Sequence, residues 1–396
     1  MKEQQLSVLG VGMKIFTILS TLLLITSCSL SETEKNMDIE MMHSDEIVTV
    51  KLERLLKKNG PGIQYIVVNN TETVFERNIG FADIKAAIPM SSDHTMAAFS
   101  MTKTLTAIAI LQLVERNEIN LDDNITRYIS HPYDTHITVR QLLNHTSGIP
   151  NPIPLAWVHL SSEQHLFDEQ HALNSVLTKN NKLTSKPGTE YQYSNISYWL
   201  LGKIIENVTG DTYPDFVTKN IFEVLNLLQN EISFTIVDSK KHAKGYVKKW
   251  SLMHFMGQFF IDKAIFGQSE KGWTHIRNVY LNGPSYGGVI WSAKAISRVL
   301  QDLLSKHPKL LGSKYIELLH SQQKTSSGSL INMTLGWHLS NLHNEQFYYK
   351  EGGGAGFRSE MRLYPQSGIA SIIITNKTSF DSTDTLNDLD IHFLTP

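Results

Sequence analysis

The sequence predicts an α+β fold: an antiparallel sheet built from both ends of the chain, with a helical lobe inserted between them. Three observations carry this expectation. β-rich segments lie near the start, at Gln64 to Val68 and Val74 to Arg77; helical signals dominate from Met101 to about Ser329; strand-like segments return after Asn332. Strands that flank a helical stretch close most simply as one sheet shared by the two ends. With 396 residues, 41% hydrophobic and 19% charged, the chain has apolar material for such a body and is neither disordered nor fibrous.

Taken in order, the first element is an apolar run from Ile15 to Ile25 behind Lys14, shorter than the ~20 residues of a membrane-spanning helix. It reads as a secretory signal over residues 1–27, with Met13 as an alternative start. Its end, Ile25-Thr26-Ser27-Cys28, resembles the lipobox of bacterial lipoproteins, which implies lipidation of Cys28 and a membrane anchor outside the cytoplasm, in the periplasm or at the cell surface. Residues 28–44 are polar and partly acidic and suit a tether. The folded domain is expected over 45–396. Ile47, Leu52, Leu55 and Leu56 among charges mark a short amphipathic helix stopped by Asn59-Gly60-Pro61-Gly62, and a hairpin follows.

Within the lobe, about 101–330, Thr104 to Arg116 is a nearly unbroken apolar run that reads as a buried helix, and Ile196 to Val208 is a second helix closed by Gly210. The returning strands are expected at Thr334 to Leu339, Gln346 to Tyr349, Phe357 to Leu363 and Ile369 to Ile374. A last helix, Leu386 to Phe393, would close the chain.

Composition narrows the function. Lys plus Arg is 36 against 38 Asp plus Glu, with no long basic block, so nucleic acid is not an expected partner. The single cysteine, Cys28, excludes an intramolecular disulfide, thiolate-bound zinc, iron–sulfur centres and a redox CxxC pair. The sixteen histidines include no HExxH pair, and no metal or organic cofactor is expected.

Acyl transfer by a serine needs an exposed hydroxyl, a base and donors for the oxyanion. Ser100-Met101-Thr102-Lys103 opens the apolar helix with the serine and the lysine three residues apart on one face. Burial beside that helix favours a neutral amine, which is a base. Tyr193-Ser194-Asn195 sits just before the second helix, where the phenol can face a cleft while Asn195 binds substrate or accepts from the lysine. Lys350-Glu351-Gly352-Gly353 lies on an expected C-terminal strand, where a cation can hold a substrate carboxylate and a glycine lets backbone approach. Each pattern is short, and each recurs: Ser321 to Lys324, Tyr280 to Asn282, Lys58 to Gly60 and Lys186 to Gly188 match as well.

In their order and context, these motifs resemble the S-x-x-K, Y-x-N and K-x-G signatures of the serine β-lactamase and penicillin-binding-protein family, in particular its class C β-lactamase-like branch of carboxypeptidases and esterases. The phrases Leu142 to Pro150, Leu201 to Glu206, Gly283 to Gly288 and Leu335 to Trp337 look like the same branch, and the resemblance covers roughly Asp45 to Lys377. It implies a β-lactamase/transpeptidase-like fold and an acyl-enzyme on Ser100, with substrates such as D-Ala-D-Ala peptides, esters or β-lactams. Lys103 and Tyr193 would share proton transfer, the base between them being open. Asn195 would orient substrate or Lys103, and Lys350 would attract an anionic substrate and keep the Tyr193 phenol acidic. Gly352 would let substrate approach, and the amides of Ser100 and Gly353 would form the oxyanion hole. His145 would fix a turn.

Glu351 departs from the K-T-G form of the motif. Facing the cleft it would repel a β-lactam carboxylate; turned away by strand alternation it would matter little. The Met- and Phe-rich stretch Trp250 to Ile261 is read as core packing, with a lid over the site or a membrane-facing patch as the second reading. Two rivals remain. One is an α/β-hydrolase using Ser285 in Gly283-Pro284-Ser285-Tyr286-Gly287 with Asp390 and His392, against which the next helix is expected only at Ser292. The other is an inactive protein of the same fold that binds peptidoglycan or a partner.

Overall fold

The structure, a computed structural model, describes residues 44–56, 60–133, 136–152, 157–251, 254–255, 257 and 262–394. The expected signal, Cys28, the rest of the tether through residue 43 and much of the Trp250 to Ile261 stretch lie outside the described residues. The chain divides into two compact units, residues 1–53 and 54–396. In the first, helix α1 (Ser44–Arg54) carries Asp45 and Glu46 in its opening turn, where carboxylates suit the helix dipole.

The second unit is organised by a six-stranded antiparallel sheet drawn from both ends of the chain. Its strands are β1 (Ile63–Asn69), β2 (Thr73–Ile79), β3 (His338–Leu342), β4 (Glu345–Gly354), β5 (Phe357–Tyr364) and β6 (Ile369–Thr375), in the spatial order β3-β4-β5-β6-β1-β2. N- and C-terminal strands meet where Ile63 to Asn69 pair with Thr375 to Ile369. β6 is buried along its whole length and β1 along all but its last residue, so both read as near-continuous apolar runs.

Between β2 and β3 the chain forms the lobe. Helix α2 (Thr102–Glu115) is buried from Thr102 to Leu113, as its all-round apolar sequence requires. Helix α3 (Asn195–Thr209) starts at Ser194, whose hydroxyl accepts the Ser197 amide, and ends where the Gly210 amide meets the Glu206 carbonyl. Helix α4 (Ala293–Leu304) lies on β1 and β6. Helix α5 (Ser382–Asp390) lies on β5 and β6.

The faces of the sheet differ. Ile66, Met361 and Ile372 are in cross-strand register and join the lobe core, whereas Tyr65, Ser371 and Arg362 point the other way and reach residues of α5.

Several expectations need correction. The lobe is not wholly helical: Gly245–Lys248, Phe266–Glu270 and Trp273–Ile276 form a small sheet, and Val158–Leu160 pairs with Val279–Leu281. Segments of three to five residues are too short for a periodic signal and gain stability only from partners distant in sequence. Thr334 to Trp337 is a turn, closed by the Thr334 amide on the Trp337 carbonyl, so β3 starts at His338. Helix α5 starts four residues before Leu386 because Asp381 caps a polar first turn that carries no apolar signal. Among the described residues no helix is long and apolar enough to cross a membrane.

Candidate active site

The turn that presents Ser100 is strained. Phe99 has a positive φ of 48°, a conformation bulky side chains seldom adopt, and the Phe99–Met101 turn runs directly into α2. The first amide to bond back is that of Met101, to the Ala98 carbonyl, which leaves the Ser100 amide ahead of it at the start of the turn. One turn on, Lys103 brings its Nζ to 3.0 Å from Ser100 Oγ. The Tyr193 hydroxyl is 2.8 Å from the same Oγ. Lys103 is fully buried, and its Nζ also reaches Asn195 Oδ1 at 2.8 Å and the Tyr286 carbonyl at 2.6 Å.

Tyr193 and Asn195 are held from behind. The His145 ring lies 4.4 Å from that of Tyr193, its Nδ1 accepts the Ser194 amide at 3.2 Å, and its carbonyl accepts the Gln192 amide at 2.7 Å. His145 itself has a positive φ of 57°, in the turn where the sequence expects it. The Asn195 amide donates to Asn151 Oδ1 at 3.0 Å.

Strand β4 closes the other side. Lys350 is buried, with Nζ 3.2 Å from His338 Nε2 and 5.1 Å from the Tyr193 ring centroid. A Cβ on Gly352 would sit 2.2 Å from the Ala98 carbonyl and 3.2 Å from the Ser100 amide nitrogen, so only glycine lets the strand pass this close to the turn. Gly353, next along, is exposed. Glu351 alternates to the opposite face, where its carboxylate contacts the Arg358 guanidinium. Of the two orientations open in the sequence, the structure has the one turned away.

Burial dominates the electrostatics. It holds the Lys103 amine well below its ordinary value, and the neighbouring Lys350 charge lowers it further. Burial also lowers Lys350, to about 7, against a partial rescue by Glu351. His338 is pushed down to about 2 by burial and then by Lys350 and Lys103, so its imidazole is neutral. The expectation that Lys350 keeps the Tyr193 phenol acidic is corrected: burial raises Tyr193 well above its ordinary value, Tyr191 and Glu351 add to this, and only the Ser100 hydrogen bond opposes it.

Three contributors escaped the sequence reading: His338, the Tyr286 carbonyl and the strained Phe99. His338 directly follows the Leu335-Gly336-Trp337 phrase and Tyr286 lies within Gly283 to Gly288, so the phrases themselves were the available signal. A backbone carbonyl and a φ angle leave no mark on residue identity.

The rival serine has no hydrogen-bonded base among the described residues. Contrary to expectation, a one-turn helix, Pro284–Gly287, does follow the Val279–Leu281 strand. Yet Ser285 is buried against Gly202, and its hydroxyl has no hydrogen-bond partner among the described residues. Asp390 is engaged by Tyr65, Tyr364 and Ser371 on the outer face of the main sheet. Of the repeated motifs, Ser321 donates to the Leu318 carbonyl while Lys324 is exposed, so that pair does not reproduce the buried contact. Among the described residues no group of three or more His, Cys, Asp or Glu could hold a metal ion.

The Beta-lactamase family model matches residues 45–394. Protein flp of Staphylococcus aureus (strain NCTC 8325 / PS 47) is 31% identical over 207 residues, which cover 51% of this chain and 41% of flp. Penicillin-binding protein 4* of Bacillus subtilis (strain 168) is 24% identical over 317 residues, 77% of this chain and 66% of that protein. The matched region thus spans less than two thirds of either relative. Among solved structures, the octameric penicillin-binding protein homologue from Pyrococcus abyssi superposes with a TM-score of 0.70 at 22% identity, covering 88% of this chain and 76% of that one. D-amino acid amidase from Ochrobactrum anthropi SV3 gives 0.67 at 20% identity, covering 88% and 97%. At such identities these two likenesses speak for the fold alone. The family match over nearly all of the described chain carries the conclusion that the protein belongs to the β-lactamase family, with the α+β, serine-hydrolase-like fold shared by β-lactamases and penicillin-binding proteins.

Proposed function

We propose that the chain is a serine hydrolase of the class C β-lactamase-like branch, forming an acyl-enzyme on Ser100 and cleaving amide or ester bonds of the D-Ala-D-Ala carboxypeptidase, esterase or β-lactamase type. The observation that carries this reading is the position of Ser100 Oγ between Lys103 Nζ and the Tyr193 hydroxyl, at 3.0 and 2.8 Å. A neutral amine has two N–H bonds and one lone pair. Asn195 Oδ1 and the Tyr286 carbonyl accept the two N–H bonds, so the lone pair faces Ser100 Oγ. Lys103 is then the base that takes the serine proton, and Tyr193, kept neutral by burial, is the donor that protonates the leaving group. The amides of Ser100 and Gly353 hold the oxyanion, and water releases the acyl group.

The same geometry supports better turnover of esters or amides than of β-lactams. Lys350, near 7, carries only part of its charge at neutral pH and so holds a β-lactam carboxylate weakly, while Glu351, turned away, adds little either way. Incubation of the full chain with penicillin, p-nitrophenyl acetate and a D-Ala-D-Ala peptide, followed by intact-protein mass spectrometry, tests the reading. The expected result is an adduct lost in Ser100→Ala and longest-lived with penicillin. A folded chain that gives no adduct with any of the three overturns it and leaves the binding protein of the same fold.

The N-terminal sequence supports a companion proposal: residues 1–27 are a cleaved signal, Cys28 is lipidated, and residues 28–44 tether the 45–396 domain to a membrane outside the cytoplasm. Fatty-acid labelling of the chain in a bacterial host, lost in Cys28→Ala, is the expected result.

A further inference from the structure

Beside the Ser100 turn lies a cavity of about 190 Å³. One wall is continuous with the candidate site: Phe99 immediately precedes Ser100, and Gly353 and Gly354 immediately follow Gly352. The opposite wall comes from a small apolar cluster separate from the main core, including Val247, Ile276, Phe266 and Val279. The two walls are joined by a close backbone approach. At Gly356, with φ of +92°, a Cβ would fall 2.4 Å from the Gly245 carbonyl carbon and the Tyr246 nitrogen, so glycine lets the β4–β5 turn lie against the strand that carries Val247.

The chemistry of the lining is one-sided. Among the described residues that line the cavity, none carries a charge and Thr378 alone has a polar side chain. An ionised group entering it would lose its hydration with nothing to replace it, whereas apolar surface gains. A cavity of about 150 Å³ with a comparable lining is large enough for benzene. Neither Lys103, Tyr193, His338 nor Lys350 lines the cavity. The leaving group takes its proton from Tyr193, which does not line the cavity, so the cavity beside Phe99 and Gly354 is left to the acyl substituent.

We propose that this cavity is the acyl subsite, and that the preferred substrates are esters or amides of uncharged, apolar acids whose side group is about the size of a phenyl ring or a short alkyl chain. The proposal rests on the reading of Ser100 as nucleophile. In the step it describes, the Ser100 Oγ–H bond breaks, Oγ bonds the acyl carbon, and the carbon–leaving group bond breaks with the serine proton ending on the leaving group. Water then splits the acyl-serine into the free acid and Ser100.

The test is kcat/KM of the full chain across p-nitrophenyl acetate, butyrate, hexanoate, phenylacetate, dodecanoate and hemisuccinate, with Ser100→Ala as control. Burial of two to four methylenes predicts a rise of about tenfold or more from acetate to hexanoate and phenylacetate. A fall at dodecanoate and a hemisuccinate rate about tenfold or more below butyrate are also expected. Val279→Trp, which fills the cavity, should bring the hexanoate-to-acetate ratio of kcat/KM down to about one; Ile276→Phe is the second variant if Val279→Trp misfolds. A flat series, or hemisuccinate equal to butyrate, with all turnover dependent on Ser100, overturns the subsite and spares the nucleophile. Turnover that survives Ser100→Ala, or none together with no adduct, overturns the underlying reading instead.

Discussion

Two polar clusters, each centred on buried cations, sit on opposite faces of the same sheet, and they are built in opposite ways. On the outer face Arg362 lies among Glu360, Asp390, Asn387 and Tyr364: its Nε meets Glu360 at 2.7 Å, and Asp390 accepts hydroxyls from Tyr65, Tyr364 and Ser371 at 2.7 to 2.8 Å. On the lobe face, Lys103 and Lys350 are equally buried, yet the polar groups hydrogen-bonded to their Nζ atoms are neutral: Ser100, Asn195, the Tyr286 carbonyl and His338. Arg362 is stabilised in its charged form by its carboxylates, whereas the two lysines are driven toward the neutral form. A buried cation given counter-ions stays charged and braces the fold; a buried amine denied them is driven toward the neutral form that a base requires.

This contrast can be broken most sharply by exchanging function for stability. Lys103→Met should lower kcat/KM on the order of 10³-fold while leaving the unfolding free energy nearly unchanged, since it replaces a buried amine that has no counter-ion with apolar volume. Parallel kinetics and urea unfolding measure both quantities; a large stability loss would mean that Lys103 braces the fold as Arg362 does. Arg362→Met should do the reverse. Removing the guanidinium strands two buried carboxylates and is expected to cost about 3–5 kcal/mol of stability, with activity per folded molecule nearly unchanged.

Smaller effects sharpen the lobe side. Gly352→Ala forces either β4 or the Ser100 turn to shift and should cut kcat/KM by about 10- to 100-fold, with acylation rather than KM for a neutral ester carrying the loss. The smallest expected effect is in pH. Lys350 is charged below about 7 and loses that charge as pH rises through this value. The preference for 4-acetoxybenzoate over phenyl acetate, which differ by a carboxylate on the leaving group, should therefore fall a few-fold between about pH 6 and about pH 8. A ratio that is flat or rises would remove Lys350 from contact with that carboxylate.

Much of the fold was legible because its signals are local. α2 is buried in the structure and unbroken apolar in sequence; α3 has its serine cap and closing glycine in the sequence itself; β1, β5 and β6 are long enough to show strand composition. The small lobe strands were missed because they are stabilised by partners as far apart as Val158 and Leu281. For the site, Ser100, Lys103, Tyr193, Asn195, Lys350, Gly352 and Gly353 were legible as residue types in order, and the structure brings them together. His338 was missed because a lone histidine after a tryptophan has many uses, and the Tyr286 carbonyl because every residue has one.

Residue chemistry, helix starts and stops, and the division into flanking strands and inserted helices were thus decided along the chain, where neighbours a few residues apart set backbone preference. Which serine lies beside a buried amine, which way Glu351 points, how far burial raises the Tyr193 phenol and where a cavity lies beside the Ser100 turn were decided only by packing. These depend on desolvation and on pairing across more than two hundred residues, as between Ser100 and Gly352, and no local pattern encodes either.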